Sequence, residues 1–167
     1  MTQAAPFSIS RELNAPPAFV YGLQTDPMHL ANWMSPEGFK TIHASMDLRI
    51  GGTYHYGIES PDGMQMWGRQ VFREIVPNRK LVYIQSFSDK DGGIGVNPMS
   101  PNWPREMLAT TTFEQAGEGR TLMTITWQPC NSDELGEQTF DQARPGMTQG
   151  FGGTFAKLEA YLASLRA

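Results

Sequence analysis

The final part of the chain carries apolar residues at helical spacing. Between Met147 and Leu165 they recur at steps of three and four, which predicts a long helix with one apolar stripe. The stripe consists of Met147, Phe151, Phe155, Leu158, Leu162 and Leu165. Gly150, Gly152 and Gly153 interrupt its first half, although each costs about 1 kcal/mol relative to alanine. We therefore expect the second half to anchor the helix and the first half to border open space or a closely approaching backbone.

Upstream of this helix, apolar and polar residues alternate with the period of two that is typical of half-buried strands. A first strand is predicted over 7–13, followed by short helices over 17–23 and 28–34, the second of which begins after Asp26 as N-cap. Further strands are predicted over 42–48, 54–58, 64–76, 81–87, 106–114 and 121–128. The 64–76 strand is long enough to contain a bulge, so the period of two does not fix which of its side chains point inward.

Turns and prolines separate these elements. Gly51-Gly52 predicts a tight hairpin turn, and Pro129 is predicted to end the last strand. One or two helical turns are predicted over 133–143, with Ser132 or Asp133 as N-cap, and Pro145 breaks or kinks that segment.

The stretch 88–104 is rich in Gly, Pro, Asn and Asp and exceeds the usual loop length of about 4–6 residues. It also contains four large apolar side chains, Ile94, Val96, Met99 and Trp103. We therefore expect this loop to fold down over part of the domain as a lid or flap.

The order of elements indicates a single α+β domain over 1–167. Strands joined by short turns pair antiparallel, and the terminal helix can cover one face of their sheet. A chain of 167 residues is long enough for one sizeable core.

Charge and composition narrow the class of partner and the compartment. The net charge is −4 and no basic run occurs, so the chain is not expected to bind nucleic acid or an anionic membrane surface. No apolar run approaches about 18 residues, so no membrane insertion is expected. The first ten residues lack the basic and apolar regions of a signal peptide, and we expect a cytoplasmic protein.

The sequence resembles the START-like, helix-grip superfamily, also called SRPBCC, which includes the birch-pollen allergen fold. Its motifs are similar to the branch named after the C-terminal domain of the activator of the ninety-kilodalton heat-shock protein ATPase. The matching pieces, in chain order, are Ala15-Pro16, Asp26-Pro27 with Trp33, 36–39, 47–49 with Gly51-Gly52, 61–63, 73–77 with Leu81-Val82, 86–89, Trp103-Pro104 with Glu106-Met107, and 149–151 with Gly153-Thr154 and Leu158. Phe151 stands where the family often has tryptophan.

This resemblance implies a helix-grip fold: a curved antiparallel sheet of six or seven strands around the C-terminal helix, with two short helices after the first strand. It also implies a cavity between the sheet and that helix. The side chains that we expect to bind a ligand there are Trp33, Tyr54, Tyr56, Trp67, Arg69, Tyr83, Phe87, Trp103, Trp127, Phe151 and Phe155. The alternative is that the apolar members of this set simply fill a core. Gln70, next to Arg69, is a further polar residue that could reach a ligand.

Candidates for chemistry are few. Glu106 follows the Trp103-Pro104 segment and is the one weak candidate for a catalytic base at the cavity mouth, the alternative being an exposed carboxylate. His43 and His55 share the outward phase of their strands, and His29 is expected to be exposed, so no metal site is predicted. Cys130 is expected to be an inert free thiol. No phosphate-binding glycine motif is present, and no cofactor is predicted.

Three functions remain open. The first is binding of an apolar or amphipathic small molecule in the cavity, with little turnover. The second is an enzyme of hydrolase or polyketide-cyclase-like type that uses Glu106 or Arg69. The third is an interaction with a chaperone ATPase, which rests on the name of the branch alone. A homodimer is also possible, if Trp67 and the Trp103 loop form an exposed apolar patch.

Overall fold

A computed structural model describes residues 3–166. Seven strands and four helices follow one another in this part of the chain. They are β1 (Phe7–Leu13), α1 (Pro17–Thr25), α2 (Pro27–Trp33), β2 (Lys40–Met46), β3 (Thr53–Glu59), β4 (Gln65–Val76), β5 (Lys80–Ser88), β6 (Glu106–Gln115), β7 (Thr121–Cys130), α3 (Glu134–Gln142) and α4 (Arg144–Leu165).

The seven strands form one antiparallel sheet in the order β1-β7-β6-β5-β4-β3-β2. A register shift in β4, between Phe72 and Glu74, places a bulge at Arg73. Because bulges bend a strand and increase its twist, this one helps the sheet to curve around α4. The α+β class and the helix-grip arrangement that were expected from the sequence are thereby confirmed.

Helix α4 lies against the concave face of the sheet through its predicted apolar stripe. Phe155, Leu158 and Leu162 are at most 3% exposed and belong to the main core together with residues of β1, β3, β5, β6 and β7. Met147, near the start of the helix, joins a second, smaller cluster. Leu165 is 42% exposed, so the stripe ends one turn earlier than predicted. The C-terminal half of α4 is therefore the anchor.

Helices α1 and α2 close one end of the core. The Asp26 carboxylate accepts the backbone N–H of Met28, which caps α2 as predicted. The buried Trp33 indole donates to the backbone carbonyl of Leu23, and this hydrogen bond ties the end of α2 to α1. Among residues 3–166, no helix is long and apolar enough to span a membrane.

The hairpin predicted at Gly51-Gly52 is present, since β2 and β3 pair antiparallel and the Gly52 N–H donates to the Arg49 carbonyl, but its connection is longer than a tight turn. Strand β2 ends at Met46 and β3 begins at Thr53, so a longer loop joins them. Gly51 and Gly52 exchange backbone hydrogen bonds with Phe72 of β4 instead. A Cβ atom at residue 52 would overlap the carbonyl oxygen of Asp47, which explains why this position needs glycine. Arg49 and Asp47 form an ion pair in this loop, with 2.7 Å between Nε and Oδ2.

Pro129 does not end β7, which continues to Cys130. The last residue of β7 that pairs with β1 is Trp127, opposite Phe7. Pro129 therefore lies where β7 has only one neighbouring strand, and a missing N–H is tolerated there.

Two side chains fix where α3 and α4 begin. The Asp133 carboxylate accepts the backbone N–H of Gly136 and caps α3, as one of the two predicted N-caps. Pro145 lies in the first turn of α4, where its missing N–H costs nothing. The proline thus marks a boundary between two helices.

Replacing Leu158 with alanine should test the anchor. Leu158 is fully buried, so L158A leaves a cavity in the main core and should lower the free energy of unfolding by about 2–5 kcal/mol. The matched control is L165A on the same helix, where the side chain is 42% exposed and the loss should stay below about 1 kcal/mol. Urea unfolding followed by circular dichroism measures both values, and equal losses would contradict an anchor at Leu158.

Candidate functional site

A cavity of about 760 Å³ lies between the inner face of the sheet and the N-terminal half of α4. Its apolar wall comes from the sheet, the end of α2, the loop before β6 and α4. The apolar side chains are Met34, Tyr56, Tyr83, Phe87, Trp103, Met107, Ile125, Trp127, Met147 and Phe151. The cavity thus occupies the part of the inner face that the anchor of α4 leaves uncovered.

Three glycines of α4 border this cavity: Gly146, Gly150 and Gly153. Their spacing of four and three places them on one side of the helix. A Cβ atom at any of the three would meet no other atom within 4 Å. Gly152 also has free space around it but does not line the cavity. All three predicted glycines therefore border open space, but only Gly150 and Gly153 border the cavity.

A chain of neutral polar side chains crosses the inner face of the sheet. Gln70 Nε2 donates to Gln85 Oε1 at 3.0 Å, and Gln85 Nε2 donates to the Tyr56 hydroxyl oxygen at 2.9 Å. The Tyr56 ring lies over Gly68, where a Cβ atom would overlap it. Because the Tyr56 oxygen accepts from Gln85, its own hydroxyl proton is free to be donated toward the cavity.

Burial raises the pKa values of the cavity tyrosines and so extends to higher pH the range in which they are neutral. It raises the pKa of Tyr83 to about 12, against a smaller opposing effect of the hydrogen bond with Thr111. Burial also raises the pKa of Tyr56, again partly opposed by its hydrogen bond with Gln85. Both side chains therefore act as hydroxyl groups, and not as phenolates, at neutral pH.

The charged groups that line the cavity are one cation and one anion. Lys157 is half-buried, and its ammonium nitrogen lies 2.6 Å from the backbone carbonyl oxygen of Ser35 and 3.4 Å from the Ser35 hydroxyl. Glu37 lines the same cavity from an exposed position in the loop after α2. The lining therefore carries no net formal charge.

Six of the predicted ligand-binding residues line the cavity. They are Tyr56, Tyr83, Phe87, Trp103, Trp127 and Phe151. The edge of the Trp127 ring packs against Phe151, with ring centroids 5.0 Å apart and planes at 82°. Period-two alternation thus selects the correct face for the members that lie on strands.

Trp33, Tyr54 and Phe155, which were also predicted to bind a ligand, do not line the cavity. Each is at most 2% exposed and lies in the main core. They occupy the correct face of their elements but lie under the anchored half of α4 and under α1 and α2, where side chains pack together. For these three residues, the alternative of simple core filling is the correct one.

Trp67 and Arg69 lie on the outer face of the sheet, because Gly68 and Gln70 between and after them take the inner face. Trp67 stacks on His55, with centroids 5.3 Å apart, and Arg69 donates to the carbonyl of Gly92 at 2.9 Å. The expectation that Arg69 reaches a ligand in the cavity is therefore wrong. Trp67 and Trp103 also lie on opposite sides of the sheet and form no common patch, so the homodimer stays a prediction.

Glu106 does not line the cavity. Its neighbour Met107 points inward and is 1% exposed, so Glu106 has the outward phase of β6. Its carboxylate accepts a hydrogen bond from the Asn131 side chain at 3.3 Å. Beside it, burial and the charge of Glu106 raise the pKa of the Cys130 thiol. As placed, Glu106 cannot take a proton from a molecule in the cavity.

The histidines lie away from the cavity. His43 and His55 are on the outer face as predicted, with ring centroids 5.0 Å apart. His29 is half-buried and not exposed, because its Nδ1 lies 2.7 Å from the hydroxyl of Tyr161. Within residues 3–166, no three His, Cys, Asp or Glu side chains are arranged to hold a metal ion.

The loop between β5 and β6 covers the cavity only in part. Asn97 and Trp103 line it, and Trp103 packs on Phe140 of α3 with centroids 6.0 Å apart. The other apolar side chains of the loop are exposed: Ile94, Val96 and Met99. The predicted flap is therefore a rim fixed at Trp103.

Several polar residues of the cavity were missed, among them Gln24, Gln85 and Lys157. Gln85 has the inward phase of β5, between Tyr83 and Phe87, so the alternation rule could have found it. Gln24 and Lys157 lie on helices, where a polar residue is normally read as solvent-exposed.

Comparisons with known proteins fit this architecture. A family model described as "Activator of Hsp90 ATPase homolog 1-like protein" matches residues 14–163. No curated protein matches the chain.

Solved structures with a similar fold come from several bacteria. A protein from Arthrobacter aurescens is 27% identical with a TM-score of 0.77, over 96% of this chain and 87% of that one. A protein from Nitrosomonas europaea is 22% identical with a TM-score of 0.74, over 96% of both chains. The AHSA1 protein from Silicibacter pomeroyi is 18% identical with a TM-score of 0.68, over 95% and 98%. For the Nitrosomonas and Silicibacter proteins, which are 22% and 18% identical, the similarity shows a shared fold.

The buried tyrosines predict how stability depends on alkaline pH. An unfolded tyrosine has a pKa of about 10, and the pKa of Tyr83 in the folded protein is about 12. The raised value means that folding favours the protonated form. Its contribution to stability is therefore complete below about pH 10 and is lost as the pH rises through about 12.

The raised pKa of Tyr83 should appear in the near-ultraviolet absorbance of the phenolate as an ionisation step at high pH. This late step should be present in the folded protein and absent in denaturant. The variant Y83F should lower the amplitude of the late step by one tyrosine. Ionisation of all the tyrosines of the folded protein together, near pH 10, would contradict the burial of Tyr83.

Proposed function

This chain belongs to the family of activator of Hsp90 ATPase homolog 1-like proteins, and within that fold we propose that it binds an apolar or amphipathic small molecule between the sheet and α4. The observation that carries the proposal is the cavity of about 760 Å³ with a mainly apolar lining. Small-molecule sites typically have volumes of about 300–1,000 Å³, apolar walls and a few placed polar groups.

Keeping the cavity open lowers the stability of the protein, and this cost supports a role for the cavity. Protein interiors are close-packed, and a space of this size beside a core forgoes many van der Waals contacts. Gly146, Gly150 and Gly153 add to that cost, since each destabilises a helix by about 1 kcal/mol relative to alanine. A larger residue at any of the three would meet no neighbour at its Cβ atom. A ligand that occupies the space would offset these losses.

The polar groups of the lining suit an amphipathic ligand. Gln70, Gln85 and Tyr56 form one hydrogen-bonded chain across the inner face. With Tyr56 kept neutral by burial, its hydroxyl proton can be donated to an acceptor on the ligand. These groups can orient a ligand and select among ligands. They do not support chemical attack on it, because none of them is an activated nucleophile or an activated general base.

Filling the cavity from α4 should weaken binding. The variant G150L places a side chain into the cavity and should weaken the binding of the neutral apolar dye Nile red at least about tenfold. The matched control is G152L, which gains the same helix propensity in free space outside the cavity and should bind the dye like the wild type.

Dye fluorescence, which rises in apolar surroundings, measures the affinities, and native mass spectrometry of the purified wild type measures any ligand that is retained. Equal dye affinities for G150L and G152L would place binding elsewhere and would remove the proposal.

A second candidate is an ATPase-activator-like interaction with a chaperone, and the description of the matched family favours it. If it holds, the purified protein should raise the rate of ATP hydrolysis by a ninety-kilodalton heat-shock chaperone. G150L should then activate as well as the wild type, since such an interaction uses the surface. An unchanged rate at saturating protein would exclude this function.

A further inference from the structure

A second, smaller cluster of buried side chains backs one end of the cavity. The residues of this cluster and its margin that also line the cavity are Trp103, Met107, Trp127, Met147 and Phe151. Phe7 and Phe140 belong to the cluster but do not line the cavity, so their rings form the layer behind its wall. The main core shares none of its buried residues with this cluster. The cluster can therefore be disrupted while the main core stays packed.

The ring of Phe140 supports two elements at this end of the cavity. Phe140 is fully buried, whereas Leu135, the other large apolar residue of α3, is 50% exposed. The same ring packs on Trp103, with centroids 6.0 Å apart, and Trp103 fixes the loop between β5 and β6 as the rim of the cavity. If Phe140 moved away from the cluster, α3 and the rim would both lose apolar support.

Residues 4–6, which we call the strap, pack on the same cluster through Ala4. The Ala4 backbone N–H donates to the Glu137 carboxylate at 2.9 Å, and Glu137 precedes Phe140 by one turn of α3. Glu137 is 8% exposed, and hydrogen bonds to a charged group are stronger than those between neutral groups. The strap therefore ties α3 down by a charge-assisted contact beside Phe140.

Arg144, at the start of α4, holds the strap as well. Its guanidinium donates to the backbone carbonyls of Ala5 and Pro6. It also lies over the Phe140 ring, with 5.2 Å between Cζ and the ring centroid. The strap, α3 and the Phe140 ring are thus joined by one set of contacts. Neither Glu137 nor Arg144 lines the cavity, so these contacts are made outside it.

We propose that the strap, α3 and the rim at Trp103 open together as one unit and admit a ligand to this end of the cavity, while the main core stays folded. This inference rests on the proposed function, because it names the route to the same site. Proteins open locally in contiguous cooperative units that are less stable than the whole fold. The contacts that hold this unit include one buried aromatic ring and the three hydrogen bonds of the strap.

The anchor of α4 can stay in place during this opening. Leu158 and Leu162 belong to the main core and not to the smaller cluster. Pro145 lacks the backbone N–H that would continue α3 into α4, so the two helices are separate units of hydrogen bonding. Movement of α3 therefore does not require movement of the anchored half of α4.

Substitutions at Glu137 test the strap without touching the cavity. E137M keeps the length of the side chain and removes the acceptor of the Ala4 N–H, whereas E137Q keeps an acceptor oxygen. R144M removes the other two strap hydrogen bonds and should act in the same direction as E137M. The control is Q138M, on an exposed position of the same helix.

Hydrogen exchange of single backbone amides, followed by nuclear magnetic resonance, measures the opening without a ligand. The reporters are the amide of Phe140 in α3 and the amide of Trp103, which donates to the Ser100 carbonyl at 3.0 Å. E137M should raise both exchange rates together by about tenfold, the loss of one hydrogen bond to a charged group. E137Q should give a smaller rise at both amides. Q138M should change neither, and the amide of Leu158 should exchange at the wild-type rate in all variants.

Stopped-flow fluorescence with Nile red tests whether this opening is the route to the cavity. If it is, E137M should raise the association and dissociation rate constants of the dye by a similar factor. The dissociation constant should then stay within about twofold of the wild-type value, because the closed protein is the same before and after entry.

Three results would overturn the inference: faster exchange at Phe140 without faster exchange at Trp103, an equal rise at Leu158, or unchanged dye rates in E137M although exchange at both reporters rises. In each case a dependence of Nile red affinity on residue 150 would leave the proposed function standing. If G150L and G152L bind the dye equally, the proposed function fails, and the route to its site fails with it.

Discussion

The burial of Phe155, Leu158 and Leu162 against the inner face of the sheet is the contact on which the rest of the structure depends. It fixes the C-terminal half of α4 over the core that the strands share with α1 and α2. Because a helix is rigid, fixing one half also fixes where the other half lies. The N-terminal half therefore stands over the sheet without filling the space below it, and the cavity exists because the anchor is firm.

The polar groups of the cavity depend on the same framework. Gln70 and Gln85 are held by neighbouring strands, and Tyr56 fits over a glycine of the next strand. Gln24 is held by a helix whose adjacent turn is tied down by Trp33. Under the proposed function, such groups would lose little conformational freedom on binding, and preorganised groups give selectivity at low entropic cost.

Much of this architecture could be predicted from the pattern of residues, for identifiable reasons. The period of two fixes the inner face wherever a strand is regular, which is why Tyr56, Tyr83 and Phe87 were placed correctly. The bulge at Arg73 interrupts that period in β4, so the phase at Trp67 and Arg69 could not be carried along the strand. Periodicity also indicates on which face of an element a side chain lies, but not whether it borders the cavity or packs in the core. Tyr54 and Phe155 were therefore predicted to be cavity residues although they fill the core. A polar residue such as Gln24 looks like solvent-exposed helix until the fold is known.

The spacing of glycines along α4 has an evolutionary consequence. Positions 146, 150 and 153 border the cavity, while residues 155, 158 and 162 belong to the core that supports it, and no residue belongs to both sets. Under the proposed function, single substitutions at the first set would reshape the accepted ligand at little risk to folding, since larger side chains there also favour the helix. Under the same proposal, a change in ligand preference would need only a few substitutions on one side of one helix.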